Sequence, residues 1–284
     1  MNWLDEGALY SQIPVFLRED LGRGDVTSQA IVARNTRARG RFVAGEKMIV
    51  AGLEAAEEVF ISLDSQPQLE AFVADGEEIE AGKVIARMIG FADVLLAGEQ
   101  VALNLLQRLS AVATLTNQFV RAVEGTGAAI VDSRQTTPGL RMLERYAVLL
   151  GGGDCSRLGL DDGVLITANH LAIAGGVADA VKSARKKLGG LHKIKVQVSS
   201  DNDLREAVIN GAESLLLEGL SPDDVRHLST LARNLSSSVN IECSGDITLQ
   251  NVRAYAEAGA SSISVGLLTN SAKAMKVTFQ VQPF

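Results

Sequence analysis

The chain has 284 residues, 46% of them hydrophobic, with 27 lysines and arginines against 34 aspartates and glutamates, a formal net charge of −7 and a pI near 5.1. That length supports two modest domains, each with its own core, and the default class is a soluble globular enzyme. The acidic balance argues against general nucleic-acid binding, which needs a basic face, so an anionic ligand must be met by local positive groups.

The opening MNWLDEGALYSQ has no basic-then-apolar signal pattern, and no apolar run is long enough to span a bilayer. The two cysteines, Cys155 and Cys243, are too few for a disulfide framework and lack metal-ligand spacing. Reduced thiols in a cytoplasmic protein are therefore expected. Residues 1 to about 25 read as a helix, with Leu4, Ala8, Leu9, Phe16, Leu17 and Leu21 in helical spacing before a turn at Gly22 and Gly24. From Arg37 to about Ile89 the pattern changes to short β-like runs, ARGRFVA, KMIVAG, LEAFVADG and KVIARMIG, which imply a small β-rich domain. Within it Asp75 to Ala86 is similar to the turn of lipoyl and biotinyl carrier domains, but no exposed Met-Lys-Met or Asp-Lys-Ala hairpin completes that pattern.

Gly98 to Val123 places Val101, Leu105, Leu109, Val112 and Leu115 at helical spacing, which predicts a connector helix into a second domain. Then strand-like runs at 130–133, 164–167, 194–198, 214–218, 240–244 and 262–266 alternate with helical patterns. Such alternation implies parallel strands with right-handed crossovers. Six units are visible where a full barrel needs eight, so the pattern alone leaves an incomplete barrel or an open doubly wound sheet.

Either fold puts its chemistry at the C-terminal strand ends. Those ends hold Ser133 and Arg134, Thr167, Gln197, Glu218, Ser244 with Gly245, and Gly266. The densest stretch is Ala129 to His170. There a β-type run opens into Asp132, Ser133, Arg134 and Gln135, and Thr136, Thr137 and Pro138 are expected to start a helix carrying Arg141 and Arg145. Gly151, Gly152 and Gly153 end that helix, by a left-handed cap that also admits a ligand to backbone N–H groups or by a plain C-cap. Arg157 follows in a polar loop. The next run leads to Thr167, Ala168, Asn169 and His170, the last read as a loop histidine that contacts ligand or is simply polar. Ser244-Gly245 leads to Thr248, the expected N-cap of LQNVRAYAEAG, and small residues before a helix start offer N–H groups to a phosphate or merely cap the helix.

The motifs D-S-R-x-T-T-P-G-L-R (132–141), Y-A-V-x-x-G-G-G-x-x-x-R-L-G-L (146–160) and N-H (169–170) closely resemble the quinolinate phosphoribosyltransferase family. The likeness runs from L-R-E-D-L-G-R-G-D-V-T (17–27) through A-L-N-L-L-Q-R-L-S (102–110) to S-V-G-L-L-T (264–269). It implies a β-rich N-terminal sandwich domain over 1–109, a partly open TIM-like α/β barrel over 110–270, and a segment 271–284 that returns to the first domain. It also implies a homodimer with a shared active site, into which Gln100 of one subunit would reach. The family reaction joins quinolinate to phosphoribosyl pyrophosphate, releasing pyrophosphate and CO₂ and giving nicotinate mononucleotide, with Mg²⁺ as the candidate cofactor.

Carried over motif by motif, the resemblance assigns Arg134 and Arg157 to a carboxylate or pyrophosphate, His170 to the substrate, Ser244, Gly245 and Gly266 to the 5-phosphate, and Glu218 to catalysis and to Mg²⁺. The departures are mostly from charged to neutral polar groups. Gln100 stands for an arginine and Gln135 for a lysine. Ser156 replaces a histidine, and Thr167 and Ala168 replace a lysine and an aspartate. Lys195 and Gln197 replace two glutamates, and Asp246 lies in the phosphate loop. Gln100, Gln135, Ser156, Thr167, His170 and Gln197 are thus the expected substrate contacts. Three readings follow: a working quinolinate phosphoribosyltransferase, a repurposed enzyme for a less anionic or heteroaromatic substrate, and a non-catalytic binding homologue.

Overall fold

The structure is a computed structural model that describes residues 6–64 and 66–284, so Leu4 lies outside the described residues. In chain order its elements begin with α1 (Glu6–Leu21), α2 (Val26–Ile31), β1 (Arg37–Ala44), β2 (Met48–Ile49), α3 (Leu53–Ile61), β3 (Gln68–Ala71), β4 (Glu78–Ile79) and β5 (Val84–Phe91). The long α4 (Ala92–Ala122) leads to β6 (Ala129–Val131), α5 (Arg141–Leu150), β7 (Val164–Ile166), α6 (Ala168–Ala174), α7 (Val177–Leu188) and β8 (Ile194–Gln197). The chain closes with α8 (Asp201–Ile209), β9 (Ser214–Glu218), α9 (Pro222–Leu235), β10 (Asn240–Ser244), α10 (Val252–Glu257), β11 (Ser262–Ser264), α11 (Leu267–Asn270) and β12 (Val277–Pro283). Among the described residues no helix is long and apolar enough to cross a membrane.

Two compact units result. The first takes the chain up to Asn117 with residues 136–152 and 271–284. Its antiparallel sheet has the order β12-β1-β5-β3. In β1 the residues alternate, with Ala38, Gly40, Phe42 and Ala44 buried and Arg37, Arg39 and Arg41 on the other face. Phe42, Phe60 of α3 and Phe279 of β12 form the core, with ring centroids 4.5–6.3 Å apart. Gly40 is required there, because a Cβ would stand 1.9 Å from the Phe279 ring.

The expectation of β-like runs alone over 37–89 misses α3. Its apolar residues Leu53, Ala56, Val59 and Phe60 repeat at helical spacing, and the Asp75 carboxylate accepts from Gly52 N (3.0 Å) and Leu53 N (3.2 Å) at its start. The connector helix is also longer than its apolar spacing suggests, starting at Ala92. The helix expected to begin at Thr136 begins at Arg141, because Pro138 to Leu140 form a turn. Gly152 has the expected left-handed backbone (φ 85°). Gly151 serves packing, since a Cβ there would lie 2.4 Å from Ala113 O on α4.

The second unit comprises residues 118–135 and 153–270. Its six parallel strands run β6-β11-β10-β9-β8-β7, a partly open α/β barrel with helices between successive strands. β6 and β7 stand at opposite ends of that order. The outer edge of β6 takes a parallel bridge from Asp154, with Asp154 N donating to Ile130 O (2.7 Å) and Asp132 N to Asp154 O (3.3 Å). In-register partners share a face in a parallel sheet, so Gln197, Leu216, Glu242 and Ser262 lie at one level of one face. Lys195, Ser214 and Asn240 lie one level below, and Glu218 and Ser244 one level above.

Candidate active site at the strand ends of the second unit

β6 is followed by Asp132, a carboxylate with no exposed surface whose Oδ1 accepts from Ser156 N (2.6 Å). Ser264 Oγ of β11 donates to the Asp132 carbonyl (3.2 Å). Asp132 thereby ties the loop after β6 to the loop carrying Ser156 and Arg157. Two residues on, Arg134 adopts a left-handed backbone (φ 62°), which costs a non-glycine residue of order 1–3 kcal/mol and recurs at ligand sites. Its Nε is buried and meets no acceptor.

Arg157 comes from the opposite side of that junction, and its Nη1 donates to Gly163 O (3.4 Å). Burial, and then the neighbouring Arg134 charge, hold its pKa below the ordinary guanidinium value, while Asp162 acts the other way. Both guanidiniums are half-buried and their charges act on each other, so a carboxylate or phosphate bound beside them would relieve the repulsion through charge-assisted hydrogen bonds.

The neutral positions around them are engaged internally. Gln135 is exposed, its Oε1 accepts from Asn270 Nδ2 (2.8 Å), and its carbonyl accepts from Thr269 Oγ1 (2.9 Å). Gly266 directly precedes α11. A Cβ on it would meet Gln135 Oε1 at 2.4 Å. His170 is not a loop residue either. It is the third residue of α6, and its Nδ1 accepts from Thr167 N (3.1 Å) and lies 2.7 Å from Thr167 Oγ1, closing a capping box. With Nδ1 accepting from Thr167 N, Nε2 is the ring nitrogen left to face a ligand.

Gln197 stitches three strand ends together. Its Oε1 accepts from Ala168 N after β7 (2.9 Å), and its Nε2 donates to Glu218 Oε2 on β9 (2.9 Å). Glu218 remains exposed at the end of its strand. Ser244 and Gly245 follow β10. Gly245 is left-handed (φ 126°), and a Cβ there would lie 3.0 Å from Gly219 N, so the β9 and β10 loops cross backbone on backbone. The helix expected from Leu249 begins at Val252 with Asn251, not Thr248, at the N-cap position; Asn251 makes no side-chain cap bond, and its Oδ1 accepts instead from Thr248 N (2.8 Å) in the preceding turn.

The structure thus brings Arg134, Gln135, Ser156, Arg157, Thr167, His170, Gln197, Glu218, Ser244, Gly245 and Gly266 to the strand ends of one sheet. Gln100 belongs to the first unit, exposed on α4, where its Nε2 donates to Asn104 Oδ1 (2.9 Å). Sequence reasoning passed over Asp132 as a tether and the Lys195–Glu242 ion pair across β9. Both were readable: Asp132 sits two residues before Arg134, and Glu242 shares strand parity with Ser244. Neither Cys155 nor Cys243 is in a disulfide, and burial, then Glu242, pushes the Cys243 thiol up to about 12. Cys243 is therefore an inert core thiol.

The chain thus combines a partly open parallel α/β barrel, with two arginines at its strand ends, and a unit built on an antiparallel sheet. The sequence profiles of the quinolinate phosphoribosyl transferase N-terminal and C-terminal domains match residues 25–110 and 112–280. The chain belongs to that family. It is 41% identical to a probable carboxylating nicotinate-nucleotide pyrophosphorylase of Bacillus subtilis, over 94% of this chain and 91% of that one. It is 34% identical to the protein of the same name from Methanothermobacter thermautotrophicus, over 94% and 96%. The solved nicotinate-nucleotide pyrophosphorylase of Francisella tularensis superposes with a TM-score of 0.92 at 33% identity, covering 98% of each chain.

Proposed function

We propose that this chain is a phosphoribosyltransferase-like enzyme that acts on a less anionic substrate than quinolinate with phosphoribosyl pyrophosphate. The carrying observation is the pairing of Arg134 with Arg157 among neutral neighbours, Gln135 and Thr167, that already hydrogen-bond within the protein. One slot suits one carboxylate or phosphate. A dicarboxylate plus a polyphosphate asks for more cations than these ends supply. In this reading Arg134 and Arg157 bind and orient the anion, and Glu218 accepts a hydrogen bond from a ligand hydroxyl. Ser156, His170 Nε2, Ser244 and the Gly245 and Gly266 backbone supply neutral donors, and the protein works as a cytoplasmic homodimer.

A second reading, a quinolinate phosphoribosyltransferase serving NAD synthesis, is supported by the names of relatives up to 41% identical over most of the chain. An assay with quinolinate, phosphoribosyl pyrophosphate and magnesium separates the two. Each missing charge-assisted hydrogen bond costs ~1.5–3 kcal/mol. At ~1.4 kcal/mol per tenfold, two of them lower turnover by about two to four orders of magnitude. The unmodified protein is expected to be that poor, and Gln135→Lys with Thr167→Lys should raise its rate. Family-like turnover without those lysines would establish the second reading.

A further inference from the structure

The family resemblance implies a divalent cation, and magnesium requires oxygen donors in a near-octahedral shell, commonly one or two carboxylates together with ligand phosphate. The inner face of the six-stranded sheet carries two carboxylates on adjacent strands, Glu218 on β9 and Glu242 on β10. Both are already served by the protein. Gln197 Nε2 donates to Glu218 Oε2 at 2.9 Å, which leaves that carboxylate one oxygen and sets an amide N–H₂ dipole, positive end outward, beside it. Glu242 is taken by the Lys195 ammonium, which reaches across β9 from one level below to Oε2.

The two side chains of that pair are 25% and 9% exposed, so it is shielded from competing water, and a fixed cation at Glu242 repels a second one. Elsewhere among the described residues there is no group of three or more His, Cys, Asp or Glu side chains arranged to hold a metal ion. The donor set is thus cut to a single carboxylate oxygen, that of Glu218, beside a resident ammonium, a poor fit for magnesium. We infer that this chain has replaced the divalent cation by an internal one: Lys195 is the resident counter-ion of Glu242, Gln197 caps Glu218, and the strand ends bind their anionic ligand without metal. This rests on the anion-binding reading given above, in which Arg134 and Arg157 meet the anion of the ligand.

The test uses the full chain and two independent measurements. Manganese is titrated as a spectroscopic stand-in for magnesium and its free signal followed by electron paramagnetic resonance. Inorganic phosphate is titrated calorimetrically, once with a chelator and once with excess magnesium. The unmodified protein is expected to leave the manganese signal undiminished and to bind phosphate equally in both buffers. Lys195→Glu, which exchanges the ammonium for a second carboxylate beside Glu242, should tighten manganese binding by at least ~tenfold. Lys195→Gln, which frees Glu242 with less strain on the fold, should tighten it less, with circular dichroism confirming that both variants fold. Stoichiometric manganese binding by the unmodified chain, phosphate binding that needs magnesium, or folded variants that gain no manganese would each overturn the inference. Phosphate binding in neither buffer would sink the anion-site reading, while the manganese titrations would still decide the metal question.

Discussion

Glu144 has no exposed surface, yet its carboxylate is fully employed. Oε1 accepts from Arg108 Nε (3.0 Å), Arg108 Nη2 (2.7 Å) and Thr137 Oγ1 (2.8 Å), and Oε2 accepts from Thr137 N (3.0 Å). This ion pair holds the turn before α5 against α4 inside the first unit, so the Thr-Thr-Pro segment is fixed by a buried charge and not by helix capping. Removing one partner of such a pair leaves the other charge buried and uncompensated, which costs about 3–5 kcal/mol. Glu144→Ala should lower the unfolding free energy measured in urea by that amount. The double variant Arg108→Met, Glu144→Leu should recover most of the loss, and equal loss in single and double variants would show that the pair itself is unimportant. Arg134 poses the complementary case at the site. Its left-handed backbone is a cost that glycine would not bear. Arg134→Gly is therefore expected to leave the thermal midpoint unchanged or raised while weakening binding of phosphate by at least about tenfold, the loss of one charge-assisted bond. Calorimetry and thermal melts on the same samples check both halves.

At the scale of elements, α3 shows how a helix invisible to a β-oriented reading is secured. Asp75, from a turn well downstream, caps its first N–H groups, and Tyr146 Oη of α5 donates to Asp75 Oδ2 (2.9 Å). Burial raises the Asp75 pKa above the usual carboxylate range. It raises Tyr146 as well, burial first and then the Asp75 charge. Because the folded tyrosine holds its proton more tightly than the unfolded one, its stabilising share is whole below the unfolded pKa of about 10 and is lost as pH climbs toward the folded value. Tyr146→Phe should cost about 1 kcal/mol at neutral pH and should shallow the fall in stability above about pH 10. An unaltered alkaline limb in urea titrations against pH would contradict the assignment. The same element explains what could be read in advance. Strands β1, β5 and β9 announce themselves by local patterning, alternation in the first two and an apolar run in the third. The six-strand parallel order follows from the βα alternation together with the family motifs. The capping partners did not, because Asp75 and Tyr146 are 71 positions apart and only the fold makes them neighbours. Likewise Arg134 and Arg157 were legible as cations at strand ends. That His170 caps α6 and that Gln197 spans three strands were not, since each depends on which side chain turns inward at the end of a strand.

For the whole molecule, the second unit leaves apolar side chains exposed around the strand whose end carries Thr167. Leu158 (44%) and Leu160 (79%) lie in the loop before β7, and Ile173 (89%) lies on α6, a helix with no buried residue. A seven-residue helix that buries nothing is marginal in water on its own propensity and gains stability from whatever covers it. Apolar surface concentrated near a polar site marks an interaction face, and the family resemblance names a second copy of the chain as its occupant. We therefore expect a homodimer in which this face is covered, with Gln100, exposed on α4, brought close to the partner's strand ends. Light scattering should give twice the 30.0 kDa chain mass. Leu160→Asp with Ile173→Asp should shift the population toward monomer, because a carboxylate transferred into an apolar interface without a partner costs several kcal/mol. Gln100→Ala should weaken phosphate binding in the dimer and leave it unchanged in the monomerised variant. A unmodified chain that stays monomeric at working concentration, or an aspartate variant that dimerises as before, would remove the partner from this account and leave the strand ends of a single chain to form the site alone.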